Sequence, residues 1–522
     1  MNNKIPVIDL FAGPGGLAEG FSSIIKNGQR VFDIKLSIEK DESAHKTLEL
    51  RSFCRQFPKG QLPDEYYDVL KEIDIHKREE RKRQLFKKFE KEYLAAKKEA
   101  WLAELGNEKY PSSLVDKRII NVLNNKKNWV LIGGPPCQAF SLVGRSRVGG
   151  VHEGDHRVYL YKEYLRIIAE HQPAVFVMEN VKGLLSASLN GEKIFSWILR
   201  DLRNPSLVFK NTTKTKYKVY SLVKTNVESD RDYLIRAEEY GIPQKRHRVI
   251  LLGIREDLNV IPKTLDKKEK VTLKSVIDKL PKIRSGINRR FVESEIINGE
   301  KKRKYEKLRD NSLIWKSYIN KFKKEIIAWN GLSSYKNKEQ VIVSNNCKGA
   351  EFVSAGITIE RNHPLANWYI DEKLNGVPNH QSRSHLLEDL KRYMFAATFT
   401  LSEGRFPRMQ DYEKHNADLL PDHKSARTGK FADRFRVQLP NEPATTVTSH
   451  ISKDGHYFIH YDPNQCRSLT VREAARIQTF PDNYLFCGSR TAQFHQVGNA
   501  VPPYLSKQIA DIVKNILFDY EK

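Results

Sequence analysis

The chain has 522 residues, 39% hydrophobic and 10% aromatic, which excludes an intrinsically disordered chain and allows two or three domains with sizeable cores. Lysine and arginine number 89 against 64 acidic residues, and the resulting formal charge of +25 points to a polyanionic partner, with nucleic acid ahead of an anionic membrane surface. Five scattered cysteines (Cys54, Cys137, Cys347, Cys466 and Cys487) contain no CxxC pair, so neither a disulfide framework nor a zinc site is suggested.

The opening residues, MNNKIPVIDLFAG, lack a long apolar core, and no later apolar run approaches a bilayer span. A cytoplasmic chain without an export or membrane signal is expected. Pro6 to Phe11 reads as a strand, Ala12 to Gly16 as a glycine turn, and Leu17 to Ile25 as a helix. Strand, glycine turn and helix together open a nucleotide-binding α/β unit, although the strict GxGxxG spacing is absent and a plain tight connection fits equally well. A second strand over Val31 to Ile38 ends in Glu39, where such folds bind ribose hydroxyls; the competing reading makes Glu39 a helix N-terminal acid.

From about Asp64 to Gly106 the composition turns to lysine, arginine and glutamate. Leu85, Phe86, Phe89, Tyr93, Leu94 and Trp101 recur at helical intervals. One or two long amphipathic helices inserted in the core domain are expected there, as a solvated excursion rather than a DNA-contacting arm. Leu114 to Asn124 returns the chain to the sheet. Val130 to Ile132 is a buried strand, stopped by Gly133-Gly134-Pro135-Pro136 in a stiff turn that presents Cys137. That position suits a nucleophile, and it also suits a buried cysteine beside a loop.

Leu142 to Arg157 mixes glycines with basic residues, as a lid or a surface loop would. A helix over Tyr159 to Glu170 precedes a dense strand, Ala174 to Met178, whose tip delivers Glu179-Asn180-Val181. Glu179 is a candidate proton donor or a structural acid. Strands over Tyr217 to Val223 and Val249 to Gly253 flank YGIPQKRHR, in which Gln244, Arg246 and Arg248 alternate and would point the same way on an extended segment, toward an anionic or carbonyl-rich ligand.

With DLFAGPGG (Asp9–Gly16), Glu39, GGPPCQAFS (Gly133–Ser141), ENV (Glu179–Val181), QKRHR (Gln244–Arg248), RSLTVREAARIQTFPD (Arg467–Asp482) and QVGNAVPP (Gln496–Pro503) in this order, the sequence resembles the DNA cytosine-5 methyltransferase family of prokaryotic restriction-modification type. The resemblance spans almost the whole chain. It implies an α/β fold: a Rossmann-like S-adenosylmethionine-dependent methyltransferase sheet with a second, smaller target-recognition domain. Residues 1–255 would form the catalytic domain, carrying the helical insertion and completed by 490–522, with 256–489 as the target-recognition domain.

The resemblance further implies that Cys137 adds as a thiolate to C6 of a flipped-out cytosine, that Glu179 holds the N3 and amino edge, and that Arg248 contacts O2 with Arg246 beside it. A free thiol titrates near about 8.5, so the arginines of QKRHR are candidates for the positive field it needs. The methyl donor, S-adenosylmethionine, would lie on Phe11, Gly13, Gly15, Gly16, Leu17 and Pro136, with Glu39 on its ribose and Asn499 and Val501 approaching from the chain end. No metal is required. Asp116 is the candidate for the family's acidic contact to the adenine. Thr445 to His450 and Gly455 to His460 read as a hairpin lining the cleft.

Double-stranded DNA would be the partner of a monomeric, cytoplasmic and nucleoid-associated enzyme, functionally paired with a restriction endonuclease or another phage-defence system. Two rival readings remain. One is a transfer RNA cytosine-5 methyltransferase, whose usual Cys-Phe-Thr tripeptide this sequence lacks; the other is a catalytically silent DNA-binding regulator.

Overall fold

The computed structural model describes residues 4–136, 156–189, 192–209, 215–298, 300–329, 347–421 and 434–520. Cys137, and the expected lid up to residue 155, lie outside the described residues. Eight strands form one mixed sheet: β1 (Ile5–Leu10), β2 (Phe32–Glu39), β3 (Ala100–Leu102), β4 (Val130–Gly133), β5 (Val175–Val181), β6 (Tyr217–Ser221), β7 (Leu234–Arg236) and β8 (His247–Arg255). Their order is β6-β8-β5-β4-β1-β2-β3, with β7 also paired to β8. The pairs β1–β2, β1–β4, β2–β3 and β4–β5 are parallel, and β8 runs antiparallel to β5, β6 and β7. The strand order reverses beside β1. In such a sheet ligands bind beyond the strand ends at that reversal, which is where the glycine turn and the tip of β4 emerge.

The strands are continuous apolar runs because both faces are covered. β1 and β4 are buried at every position. On one face Val7, Ile132, Val177 and Ile250 pack with Leu505, Ile509 and Val513 of the C-terminal helix; on the other Ile8, Leu36, Leu131 and Met178 pack with Tyr164, Leu165 and Ile168. The α/β sheet expected from the sequence is therefore the one observed. Helix α1 (Gly16–Ser22) follows β1, and a Cβ on Gly20 would come within 2.5 Å of Ser506, so only glycine admits the C-terminal helix this closely.

The charged insertion differs in detail from its expectation. After α2 (Glu42–Arg55) come three helices, α3 (Asp64–Lys71), α4 (Ile75–Lys88) and α5 (Glu90–Glu99), and the chain then enters the sheet as β3. Asp74 starts α4 afresh by accepting from the His76 and Lys77 amides, as an N-cap does, and Phe89 leaves helical geometry at φ −115°. The apolar stripe packs inward: Phe86 stacks on Tyr93 at 4.1 Å and meets Phe53 of α2 edge-on at 5.2 Å. Trp101 lies on the edge strand, a β-prone pair with Leu102 that the helical periodicity had absorbed.

A further apolar core runs from Val271 to Ala500, whereas Val501 and the residues after it join the sheet's core. Its elements include β9 (Gly286–Ile297), β10 (Glu300–Lys307), α6 (Leu387–Glu403), α7 (Val471–Ile477) and α8 (Arg490–Asn499), after which α9 (Pro503–Tyr520) closes the chain on the sheet. The hairpin expected over 445–460 is not formed. Ala444 and Thr445 pair in parallel with Gln244 and Lys245, Ser449–Ser452 make a helical turn, and Ile459 bridges Val437 and Ser468. The Gln244 and Lys245 edge captured the strand that local patterning had assigned to its sequence neighbour.

Within this core the segment Arg467–Asp482 is a knot of buried charge. Arg467 grips Glu473 through both carboxylate oxygens at 2.7 Å, and Thr470 and Glu473 form a capping box that starts α7. Arg476 binds Asp482 at 2.6 Å and donates to the Val276 and Thr358 carbonyls. No helix among the described residues is long and apolar enough to cross a membrane.

Candidate active site

The turn after β1 is held open by its backbone. Phe11, Gly13 and Gly15 have φ of 57°, 56° and 94°, a region that favours glycine and strains phenylalanine by about 1–2 kcal/mol. A Cβ on Gly13 would meet nothing within 4 Å, whereas one on Gly15 would come within 3.2 Å of the Tyr484 hydroxyl, which donates to the Pro14 carbonyl. Gly16 would press a Cβ to 2.4 Å from the Val501 carbonyl oxygen. Leu17 is buried, and its carbonyl accepts from the Ser506 hydroxyl at 2.8 Å. Gly13 alone of these glycines faces open space.

Glu39, at the tip of β2, closes one side of that space. Its Oε2 accepts from the Gly13 amide and its Oε1 from the Asp41 amide, each at 2.7 Å. Burial pushes its carboxyl above the ordinary range, against main-chain hydrogen bonds that pull it down. Glu104, just beyond β3, pairs with Lys40 at 2.9 Å, and the Ala103 amide donates to the Glu39 carbonyl. Asp116 is elsewhere, bound to Arg166 and His171 at 2.8 Å each, so its carboxylate is committed. The sequence pattern did not single out Glu104, because β3 lay hidden in a helical pattern.

The tips of β4, β5 and β8 meet next to this turn. A Cβ on Gly134 would stand 3.0 Å from Glu179 Oε2, so the Gly-Gly-Pro-Pro segment passes directly over that carboxylate. Pro136, two residues on, is half-buried. Glu179 pairs with Arg248 Nε at 2.8 Å, and the two side chains keep 12% and 16% exposure. The register explains the meeting: Ile250 lies opposite Glu179, and Arg248 opposite Val181.

Of the three alternating residues, only Arg248 reaches Glu179. Arg246 is buried and donates from Nη1 to the Val447 and Gly498 carbonyls at 2.9 and 3.1 Å, and burial, reinforced by Arg248, pushes its pKa well down. Its Nε has no hydrogen-bond partner among the described residues. Gln244 accepts from the Val447 amide and donates to Gln478. Gln244 and Arg246 thus stitch the sheet to residues more than two hundred positions later. Asn499 is exposed at the end of α8, next to the carbonyl that Arg246 holds.

The residues at the turn fit a nucleoside-bearing methyl donor. An open cradle at Gly13, with the Glu39 carboxylate at its rim, is what a ribose and its attached groups require.

The sequence profile of the C-5 cytosine-specific DNA methylases matches residues 86–515. The chain is 32% identical to Type II methyltransferase M.Bpa9945I of Bacillus paralicheniformis over 98% of its own length and 99% of that protein. It is 28% identical to Type II methyltransferase M.AgeI of Thalassovita gelatinovora (74% of this chain, 82% of that one). It is 26% identical to DNA (cytosine-5-)-methyltransferase M.ApeKI of Aeropyrum pernix (74% and 81%). With a profile match over most of its length and a relative this similar from end to end, the chain belongs to the C-5 cytosine-specific DNA methylase family.

Proposed function

We propose that the chain methylates C5 of one cytosine within a short duplex DNA sequence, using Cys137 as nucleophile and S-adenosylmethionine as donor, and that it protects its host's DNA in a restriction-modification or other phage-defence system. The observation that carries the reading is the Glu179–Arg248 pair, 2.8 Å apart, partly exposed, and crossed by Gly134 three residues before Cys137.

C5 of cytosine is a weak nucleophile. Addition of the Cys137 thiolate to C6 moves electron density to C5, with negative charge developing toward N3 and O2. Glu179 then donates to or protonates N3 and accepts from the exocyclic amine, while the Arg248 guanidinium stabilises the charge at O2. Arg248 serves a second purpose by orienting Glu179 through its Nε. Arg246 stands behind Arg248 and holds the Val447 and Gly498 segments against the site. S-adenosylmethionine, when bound, supplies the methyl group; Phe11, Gly13, Gly15, Gly16, Leu17, Pro136 and Val501 would line its seat, Glu39 its ribose, Asn499 its far edge and Glu104 its adenine side. Water takes up the C5 proton, and the electrons of that C–H bond re-form the C5–C6 double bond and expel Cys137 as its thiolate, releasing the methylated base.

C6 is inaccessible inside a helix, so the target base must leave the stack at a cost of a few kcal/mol. Residues 256–489 would read the sequence and 1–255 with 490–522 would carry out the chemistry. The type II names of the relatives support a restriction-modification setting; a cognate endonuclease, a monomeric enzyme and a cytoplasmic, nucleoid-associated location complete the proposal.

Bisulfite sequencing of plasmid DNA from cells expressing the wild-type chain or Cys137→Ala tests the proposal. Protected cytosines in one short context, seen only with wild type, are expected. Equal protection by both proteins sinks Cys137 as nucleophile, and no protection by either, with soluble protein present, turns the reading toward transfer RNA.

A further inference from the structure

The turn after β1 is held by its own chain, by β2 and by a residue of the other core. Within the turn the Gly15 amide donates to the Ala12 carbonyl at 2.9 Å. From β2 the Ile38 carbonyl accepts from the Ala12 amide at 3.0 Å, and Glu39 accepts from the Gly13 amide at 2.7 Å. The remaining hold comes from Tyr484, a member of the core that runs from Val271 to Ala500. Its hydroxyl donates to the Pro14 carbonyl, although the two residues stand 470 positions apart in the chain.

Tyr484 is itself fixed on every side. It is fully buried; Phe480 meets its ring edge-on at 4.8 Å, and Phe486 lies 5.4 Å away. The Arg51 guanidinium covers the ring at 4.8 Å, and Arg472 donates to the Tyr484 carbonyl. Arg51 in turn is tied to both cores, to Glu19 of α1 at 2.8 Å and to Asn483 at 3.1 Å. A hydroxyl on a ring held this way lends its position to the group it binds.

The turn needs such a support. Phe11, Gly13 and Gly15 all have positive φ, and strained backbone persists only where its surroundings over-determine it. Resting on the proposed seat of S-adenosylmethionine at this turn, we infer that Tyr484 is a positioning residue for the donor. Its hydroxyl keeps the backbone from Phe11 to Gly16 in the donor-binding shape, so the second core supplies part of the affinity for S-adenosylmethionine. Without the bond the strained turn relaxes in a share of the molecules, and the apparent affinity falls with the competent fraction. Tyr484 touches no reacting atom, so methyl transfer from a seated donor keeps its rate.

Calorimetric titration of the full chain with S-adenosylmethionine, without DNA, tests this. Tyr484→Phe keeps the ring and removes the bond. A buried neutral hydrogen bond shifts an equilibrium by a factor of about 5, so Kd is expected to rise about 5-fold. In methylation assays KM for the donor should rise alike, with kcat within about 2-fold of wild type. Tyr369→Phe is the control: it removes a buried hydroxyl bond of the same core, from Tyr369 to the Arg476 carbonyl at 2.6 Å, that does not reach the turn. Its Kd should equal that of wild type. Amide exchange over residues 11–17 of the donor-free protein is expected to quicken in Tyr484→Phe and not in Tyr369→Phe.

Melting curves confirm that both variants fold. If Tyr484→Phe does not, Asn483→Ala serves: it frees Arg51 from its seat over the ring, and a rise in Kd of about 2-fold is expected, with no rise counting against the role. Equal Kd values for wild type and Tyr484→Phe overturn the role of Tyr484 alone, and so does an equal rise in the two tyrosine variants. A wild type that does not bind S-adenosylmethionine overturns the donor reading with it.

Discussion

Two arginine–carboxylate clusters of this chain have the same chemistry and different surroundings. At the strand tips Arg248 and Glu179 form one bond at 2.8 Å, and both side chains remain partly exposed. In the Arg467–Asp482 knot, Arg467 and Glu473 are each 1% exposed and doubly bonded. Arg472 and Arg476 spend their remaining donors on carbonyls of Pro378, Pro481, Val276 and Thr358. The difference lies in what is left over. Among the described residues every guanidinium nitrogen of the knot is bonded, so the knot holds segments together, whereas the tip pair keeps unfilled capacity for the proposed base. Residue type cannot distinguish them, because the partners come from distant parts of the chain.

The sharpest way to break this contrast is to cut the knot. Arg467→Ala leaves the Glu473 carboxylate buried without its partner, and a loss of about 3–5 kcal/mol of stability is expected, read from the urea midpoint. A loss below about 1 kcal/mol would show that the knot is not structural. Next in size, Glu179→Gln is expected to lower the single-turnover methylation rate by about 100-fold or more. Its melting temperature should stay within about 2 °C of wild type, since a partly exposed pair contributes little to folding. A large fall in melting temperature with an unchanged rate would exchange the two roles.

The smallest effect is set by pH. His380, hydrogen-bonded to Thr470 and Pro281, is buried beside the knot, and burial pushes its pKa down to about 4, with Arg467 and Arg476 adding to the fall and Glu473 opposing it. Its folded value is depressed, so its contribution is intact above the unfolded value near about 6.5 and is lost as pH falls toward the folded one. By pH 5 this amounts to about 2 kcal/mol, and a His380→Asn variant should show a correspondingly flatter stability profile between pH 7 and 5. Equal acid sensitivity in both proteins would remove His380 from the account.

Much of the sheet was legible because its signals are local. Buried parallel strands write themselves as short apolar runs, and each of β1, β2, β4 and β5 delivers its polar or glycine-rich tip within a few residues. Edge elements were harder. β3 has three residues inside a helical pattern, so the strand and the acid just beyond it, Glu104, went unseen, while Asp116 is committed to Arg166 and His171. The strand at Ala444 pairs with Gln244 two hundred residues earlier, a partner that no local window contains.

By itself the sequence determined the order of the motifs, the α/β sheet, the glycine turn after β1, and the polar tips that carry Glu39 and Glu179. Those features follow from periodicity and turn chemistry that a few residues enforce together. Only the tertiary structure decided that Arg248 rather than Arg246 or Gln244 reaches Glu179 and that the insertion enters the sheet as β3. The physical reason is that burial and cross-strand register are properties of partners brought together from far apart, and alternation along one strand says which residues share a face without saying what that face will meet.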